Sequence, residues 1–251
     1  MEDNYENQLF KSIAGYVVEK VPESENKEEK LLLQSLHLSK YLGDTRSFIF
    51  QNKKLNSWEA LIHPVTVDLM TADGACGSYA FILSYILNEL KIPNRIAQMK
   101  VGNMYGGHIL VEAKTSKGWV VLDGSYDLCF RKKDGGLASF SEVSNNWDYY
   151  KNQVPDSYNS GYRYEGVRYT NWDKIPVVLP LFKKVLEVFL GKERVEQISM
   201  RNYFLRKFRV LFNVSALIYL TLIIRIIIKR LKLFRMGIEL YFPIMFPSLE
   251  I

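Results

Sequence analysis

The chain has 251 residues, 48% of them hydrophobic, with 33 Lys and Arg against 27 Asp and Glu and a formal net charge of +6. That is enough apolar chain for one domain with extensions, or for two small domains. Two cysteines make no disulfide framework. There is no zinc-type Cys/His spacing, no Gly-rich phosphate loop and no nucleic-acid motif, so neither a metal, a cofactor nor a nucleic acid is expected.

Residues 1–48 read as an N-terminal helical region. Leu9, Phe10, Ile13, Ala14 and Val17 recur at helical spacing, Pro22–Lys30 is a charged break, and Leu31 to Tyr41 suggest a second helix. The acidic start, Met1 to Tyr5, has no apolar core of the secretory-signal kind. His37, among leucines, reads as a packed or surface histidine. Trp58 to Ile62 reads as a helical turn ending before His63-Pro64.

The next stretch carries the chemistry. Thr71-Ala72-Asp73-Gly74-Ala75-Cys76-Gly77-Ser78-Tyr79-Ala80 leads into an apolar run, Phe81 to Leu90, that Pro93 stops. Asp73 falls in the N-cap region of a helix spanning about 77–91. A thiol at a helix N-terminus sits at the positive end of the macrodipole, which favours thiolate, and the unpaired N–H groups there suit an oxyanion. Arg95 to Val101 alternates as a strand. His108 to Ala113 and Trp119 to Asp123 read as a hairpin around Lys114–Lys117, with Ala113 opposite Gly118 and His108 therefore opposite Asp123. His108, Leu110 and Glu112 then share a face with Trp119, Val121 and Asp123. Cysteine, histidine and aspartate in this order suit a nucleophile, a base and an orienting acid. Asp127 is a reserve for the acid, and Cys129 reads as a buried thiol.

Gly74-Ala75-Cys76-Gly77-Ser78-Tyr79-Ala80, Ile92-Pro93-Asn94-Arg95, Gly107-His108-Ile109-Leu110-Val111-Glu112 and Gly118-Trp119-Val120-Val121-Leu122-Asp123 together resemble the transglutaminase-like superfamily of papain-like cysteine enzymes. The resemblance covers about residues 55–130. It implies an α+β fold with the nucleophile helix packed on an antiparallel sheet, and acyl transfer on amide bonds through a thioester. Cys76, His108 and Asp123 would be catalytic, and Gln51 and Trp58 are candidate side-chain donors to the oxyanion. Proteases, amidases, deglycosylating enzymes and inactive scaffolds share the superfamily, so the implied substrate is a protein, peptide or glycopeptide, and a catalytically inactive scaffold is the alternative.

Beyond Asp123 the chain becomes tyrosine-rich. Tyr162 to Glu165 and Val167 to Tyr169 suggest a strand or hairpin whose aromatic face either lines a groove or simply packs. The catalytic region is expected over 49–175 and a basic helical linker over 176–209. That linker holds an amphipathic helix, Leu181 to Leu190, ended by Gly191, and a basic helix from Val195 to Arg209. Val210 to Ile224 carries no charge but falls short of the roughly 18–20 residues of a spanning helix; Arg225 at its end can snorkel, so 210–228 is read as a membrane helix, with a tail over 229–251. The expectation is a membrane-associated protein with its catalytic domain in the cytoplasm.

Overall fold

The computed structural model describes residues 2–49, 69, 76–174, 176–203 and 207–235. They divide into two compact units between Phe208 and Arg209.

The first unit begins with helices α1 (Glu2–Lys20) and α2 (Lys27–Ile49). Phe10, Ala14 and Val17 of α1 and Leu32 and Leu36 of α2 recur every three or four residues, so each helix buries one stripe. Glu28 and Glu29 complement the dipole at the start of α2. Helix α3 (Cys76–Glu89) is different. Seven of its residues are buried, six of them consecutive from Ile82 to Leu87, so protein surrounds it. Phe10 stacks on its Tyr85 with centroids 4.0 Å apart. The helix ends in a Schellman cap: Ile92 N–H donates to Leu87 O and Lys91 N–H to Asn88 O, with Lys91 at φ +62°. This end falls two residues before the expected Lys91.

Strands β1 (Asn94–Val101), β2 (Met104–Thr115), β3 (Gly118–Asp123) and β4 (Leu128–Cys129) follow. Short helices α4 (Phe140–Asn145) and α5 (Trp147–Tyr150) precede β5 (Val167–Arg168). The strands form one antiparallel sheet in the order β4-β3-β2-β1-β5. Ile96, Ile109, Val111, Ala113, Val120 and Leu122 pack with the three helices. Alternate residues Ala97, Met99, Leu110, Val121 and Leu128 meet Phe130, Phe140, Val143, Tyr150 and Tyr164 on the other side. The architecture is α+β.

Two local expectations need correction. The hairpin register is Ala113↔Val120 and Thr115↔Gly118, so the turn is Ser116-Lys117 and not Lys114–Lys117. Thr115 Oγ1 closes this shorter turn, donating to Gly118 O at 2.9 Å and accepting from Lys117 N–H at 3.1 Å, and Gly118 takes φ +120°. The slip is two residues, an even number, so the side chains keep their faces. The expected basic helix Val195–Arg209 is broken. After α6 (Val178–Leu190) come α7 (Lys192–Glu196) and α8 (Met200–Tyr203). Hydroxyls compete with the helical ladder here: Ser199 Oγ donates to Ile96 O at 2.8 Å, and Thr170 Oγ1 donates to Ile198 O while accepting from Met200 N–H.

Helix α9 (Lys207–Arg235) carries the chain into the second unit. Its segment Phe212–Lys232 is long and apolar enough to cross a membrane. Phe212, Leu217, Ile218 and Leu220 are exposed in that helix.

Candidate functional site

His108 is placed by a bulge. Met99 pairs with His108 but Lys100 pairs with Tyr105, so Gly106 and Gly107 are extra residues in β2 immediately before the histidine. Gly106 adopts φ +91°, and a Cβ on Gly107 would lie 2.6 Å from Val101 Cβ. Only glycines fit both positions, and the bulge aims the side chain that follows it.

His108 donates its Nε2–H to Asp123 Oδ2 at 2.7 Å, and both side chains are buried. Asp123 accepts a second hydrogen bond from Ser125 N–H at 3.1 Å, in the two-residue reach of an Asx turn. With Nε2 committed to Asp123, only Nδ1 remains. It is buried and, among the described residues, has no hydrogen bond. Cys76 opens α3, and its thiol is the acidic group with which His108 interacts besides Asp123.

The electrostatics follow from this grouping. Burial alone would raise the Cys76 thiol. The nearby His108, with the Ile109 backbone N–H, outweighs burial and the charge of Asp123, and the pKa falls below its ordinary value. Burial likewise disfavours the His108 cation, yet Asp123 and Cys76 raise its pKa to about 9. Both shifts act in the direction of a thiolate–imidazolium pair. Cys129 is the internal contrast. It is half-buried on β4 and has no imidazole partner among the described residues, and burial leaves its thiol raised.

Cys76, His108 and Asp123 are thus brought together, although His108 and Asp123 are not directly opposite in the ladder. The reserve acid Asp127 pairs instead with His37, whose Nδ1–H lies 2.7 Å from Asp127 Oδ2. The oxyanion candidates Gln51 and Trp58, together with His63 and Asp73, lie outside the described residues.

The tyrosine-rich segment contributes a side chain whose role the sequence left open. Only Val167–Arg168 of it is a strand; Tyr162–Glu165 is irregular, with Tyr164 buried at φ +57°. Tyr162 stacks on His108 with centroids 4.2 Å apart and planes 16° from parallel, and Tyr126 and Tyr158 pack around it. The ring holds one imidazole face and keeps water from it. A cavity of about 630 Å³ elsewhere on the surface is lined by Arg95, Glu112, Trp119 and Glu142, and by none of Cys76, His108 and Asp123. Its Glu112 is already taken by Arg95 and Tyr169. Among the described residues no group of three His, Cys, Asp or Glu is placed to hold a metal.

No family model, curated protein or solved structure matches the chain.

Proposed function

We propose that the protein is a transglutaminase-like cysteine hydrolase or acyltransferase that cleaves amide bonds of a protein, peptide or glycopeptide and is held at a membrane by α9. The observation that carries this reading is the buried His108–Asp123 pair with its free Nδ1 beside a thiol of lowered pKa at a helix start.

In the first half-reaction the Cys76 thiolate attacks the acyl carbon. The carbonyl π electrons move to oxygen, and the Cys76 backbone N–H, an orphan donor of the first helical turn, faces the developing oxyanion. His108 gives its proton to the leaving nitrogen as the C–N bond breaks, leaving a thioester and a free amine. In the second half, water attacks the thioester while His108 takes its proton, and the Cys76 thiolate leaves. An amine acceptor in place of water makes the same step a transfer; hydrolysis is the default because water is always present. Asp123 fixes the tautomer that leaves Nδ1 toward the thiol and stabilises the imidazolium. The catalytic unit is assigned to the cytoplasmic face.

The test is capture of the thioester. Full-length protein is incubated with activated acyl probes and its peptides are analysed by mass. An acyl group on Cys76 that disappears on adding hydroxylamine supports the reading, and full turnover of the same probe by Cys76→Ala would overturn it. Carbonate extraction tests the attachment: retention in the pellet is expected, and release into the supernatant contradicts a spanning helix.

A further inference from the structure

Two guanidinium groups lie in the neighbourhood of the thiol, and among the described residues neither has a carboxylate partner. Asn202 anchors α8 between β1 and α3. It accepts Ile96 N–H at 2.7 Å, donates to Asn94 O at 2.8 Å, and lies 3.4 Å from Ser84 Oγ. That fixes the preceding residue, Arg201, which is half-buried. Its charge interacts with the Cys76 thiol and with the Arg168 guanidinium. Arg168 comes from β5, opposite Gln98. It donates to Gln98 Oε1 at 3.1 Å and to Tyr105 O at 3.4 Å, both neutral acceptors. Gln98 Oε1 is in turn 3.6 Å from where a Gly106 Cβ would sit, so Arg168 lies beside the bulge that aims His108.

Among the described residues, Arg201 makes no hydrogen bond or ion pair and Arg168 makes no ion pair. Elsewhere the same fold neutralises a half-buried arginine. Arg95 binds the Glu112 carboxylate at 2.9 Å and lies between the rings of Trp119 and Tyr169. Removing a guanidinium from water without a counter-charge is costly, and two such groups in mutual reach repel. Cys76, His108 and Asp123 together carry one negative charge, as thiolate, imidazolium and carboxylate, against the two guanidinium charges, so one positive charge is left over.

We infer that Arg201 and Arg168 form an anion subsite, and that the substrate is an amide carrying a carboxylate or phosphate group within a few bonds of the scissile carbonyl. Each guanidinium presents a planar set of donors suited to bidentate binding of either group. Docking the anion there would bring the acyl carbon to the thiol. The inference rests on the proposed acyl-transfer role of Cys76.

The test compares two alkylating reagents of nearly equal size, neutral iodoacetamide and anionic iodoacetate, on full-length protein carrying Cys129→Ser. In both reactions the Cys76 thiolate forms an S–C bond and iodide leaves. The iodoacetate-to-iodoacetamide rate ratio is expected to exceed that of free cysteine by about tenfold. Arg201→Gln or Arg168→Gln should abolish the excess by slowing iodoacetate more than iodoacetamide, and Arg201→Lys should restore part of it. An unchanged ratio in Arg201→Gln overturns the subsite. Equal slowing of both reagents also overturns it, because Arg201 would then act only on the thiolate. A thiol that reacts with iodoacetamide like free cysteine counts against the enzyme reading, whereas the reagent ratio still reports on the subsite. Thermal melts at constant ionic strength supply an independent readout. A rise with inorganic phosphate above that with acetate assigns a phosphoryl group, and the reverse assigns a carboxylate. No rise with either, or an equal rise in Arg201→Gln, contradicts the site.

Discussion

Among the described residues two His–Asp pairs share a 2.7 Å separation, and their surroundings differ. In the His108–Asp123 pair the side chains are 1% and 0% exposed; in the His37–Asp127 pair they are 66% and 33% exposed. The buried pair has a third member, Cys76, and a tyrosine stacked on the imidazole. The exposed pair ties α2 to the turn after β3. A hydrogen-bond distance alone therefore does not mark a site. Burial raises the worth of the charge interaction, and a committed second nitrogen gives the free one a task.

Three substitutions press on that contrast, in decreasing order of effect. Asp123→Asn removes the charge that supports the imidazolium. Turnover of an acyl probe should fall by about 10²–10⁴-fold, and the His108 pKa, followed by NMR of the ring, should fall below about 9. An unaltered titration would break the assignment of Asp123 as the orienting acid. Gly107→Val places a Cβ against Val101 and disturbs the bulge. A loss of about 1–3 kcal/mol in denaturant unfolding is expected, as for other overpacked positions, with a rise in the Cys76 pKa as His108 moves. Loss of stability with no change at the thiol would show that the bulge does not aim His108. His37→Ala removes a partner from the exposed pair. It should cost less than about 1 kcal/mol and leave Cys76 reactivity untouched. A changed alkylation profile would erase the distinction between the pairs.

The sequence exposed the parts of this site that depend on local periodicity. Alternation put His108 and Asp123 on one hairpin face, and that assignment survives the two-residue slip because a strand repeats every two residues. What it missed was the length of the turn, decided by the Thr115 hydroxyl and Gly118. Gly106 and Gly107 precede the histidine in sequence, but that they form a bulge is visible only from the pairing of β1 with β2. Tyr162 was one of many tyrosines, and no pattern distinguishes the one that stacks on His108. Arg201 was read as one positive charge of a basic helix. Its position depends on Asn202 bonding to β1, a contact more than 100 residues away in sequence that no local pattern encodes.

The central claim is that Cys76 and His108 share a proton as a working pair. The most direct measurement is the rate of Cys76 alkylation by iodoacetamide from about pH 5 to 10, in Cys129→Ser protein with and without His108→Ala. A lowered thiol pKa means that thiolate persists to a pH below the usual range of a free thiol, about 8.5. An imidazole raised to about 9 stays protonated up to that pH, so the pair spans the interval between the two values. The rate should therefore rise at a pH below that of free cysteine and change again near pH 9. With His108→Ala, burial and the Asp123 charge are opposed only by the Ile109 backbone N–H, and the rise should move to a higher pH than in the parent protein. A rise at or above pH 8.5 in the parent protein, or one that His108→Ala leaves in place, would contradict the pair.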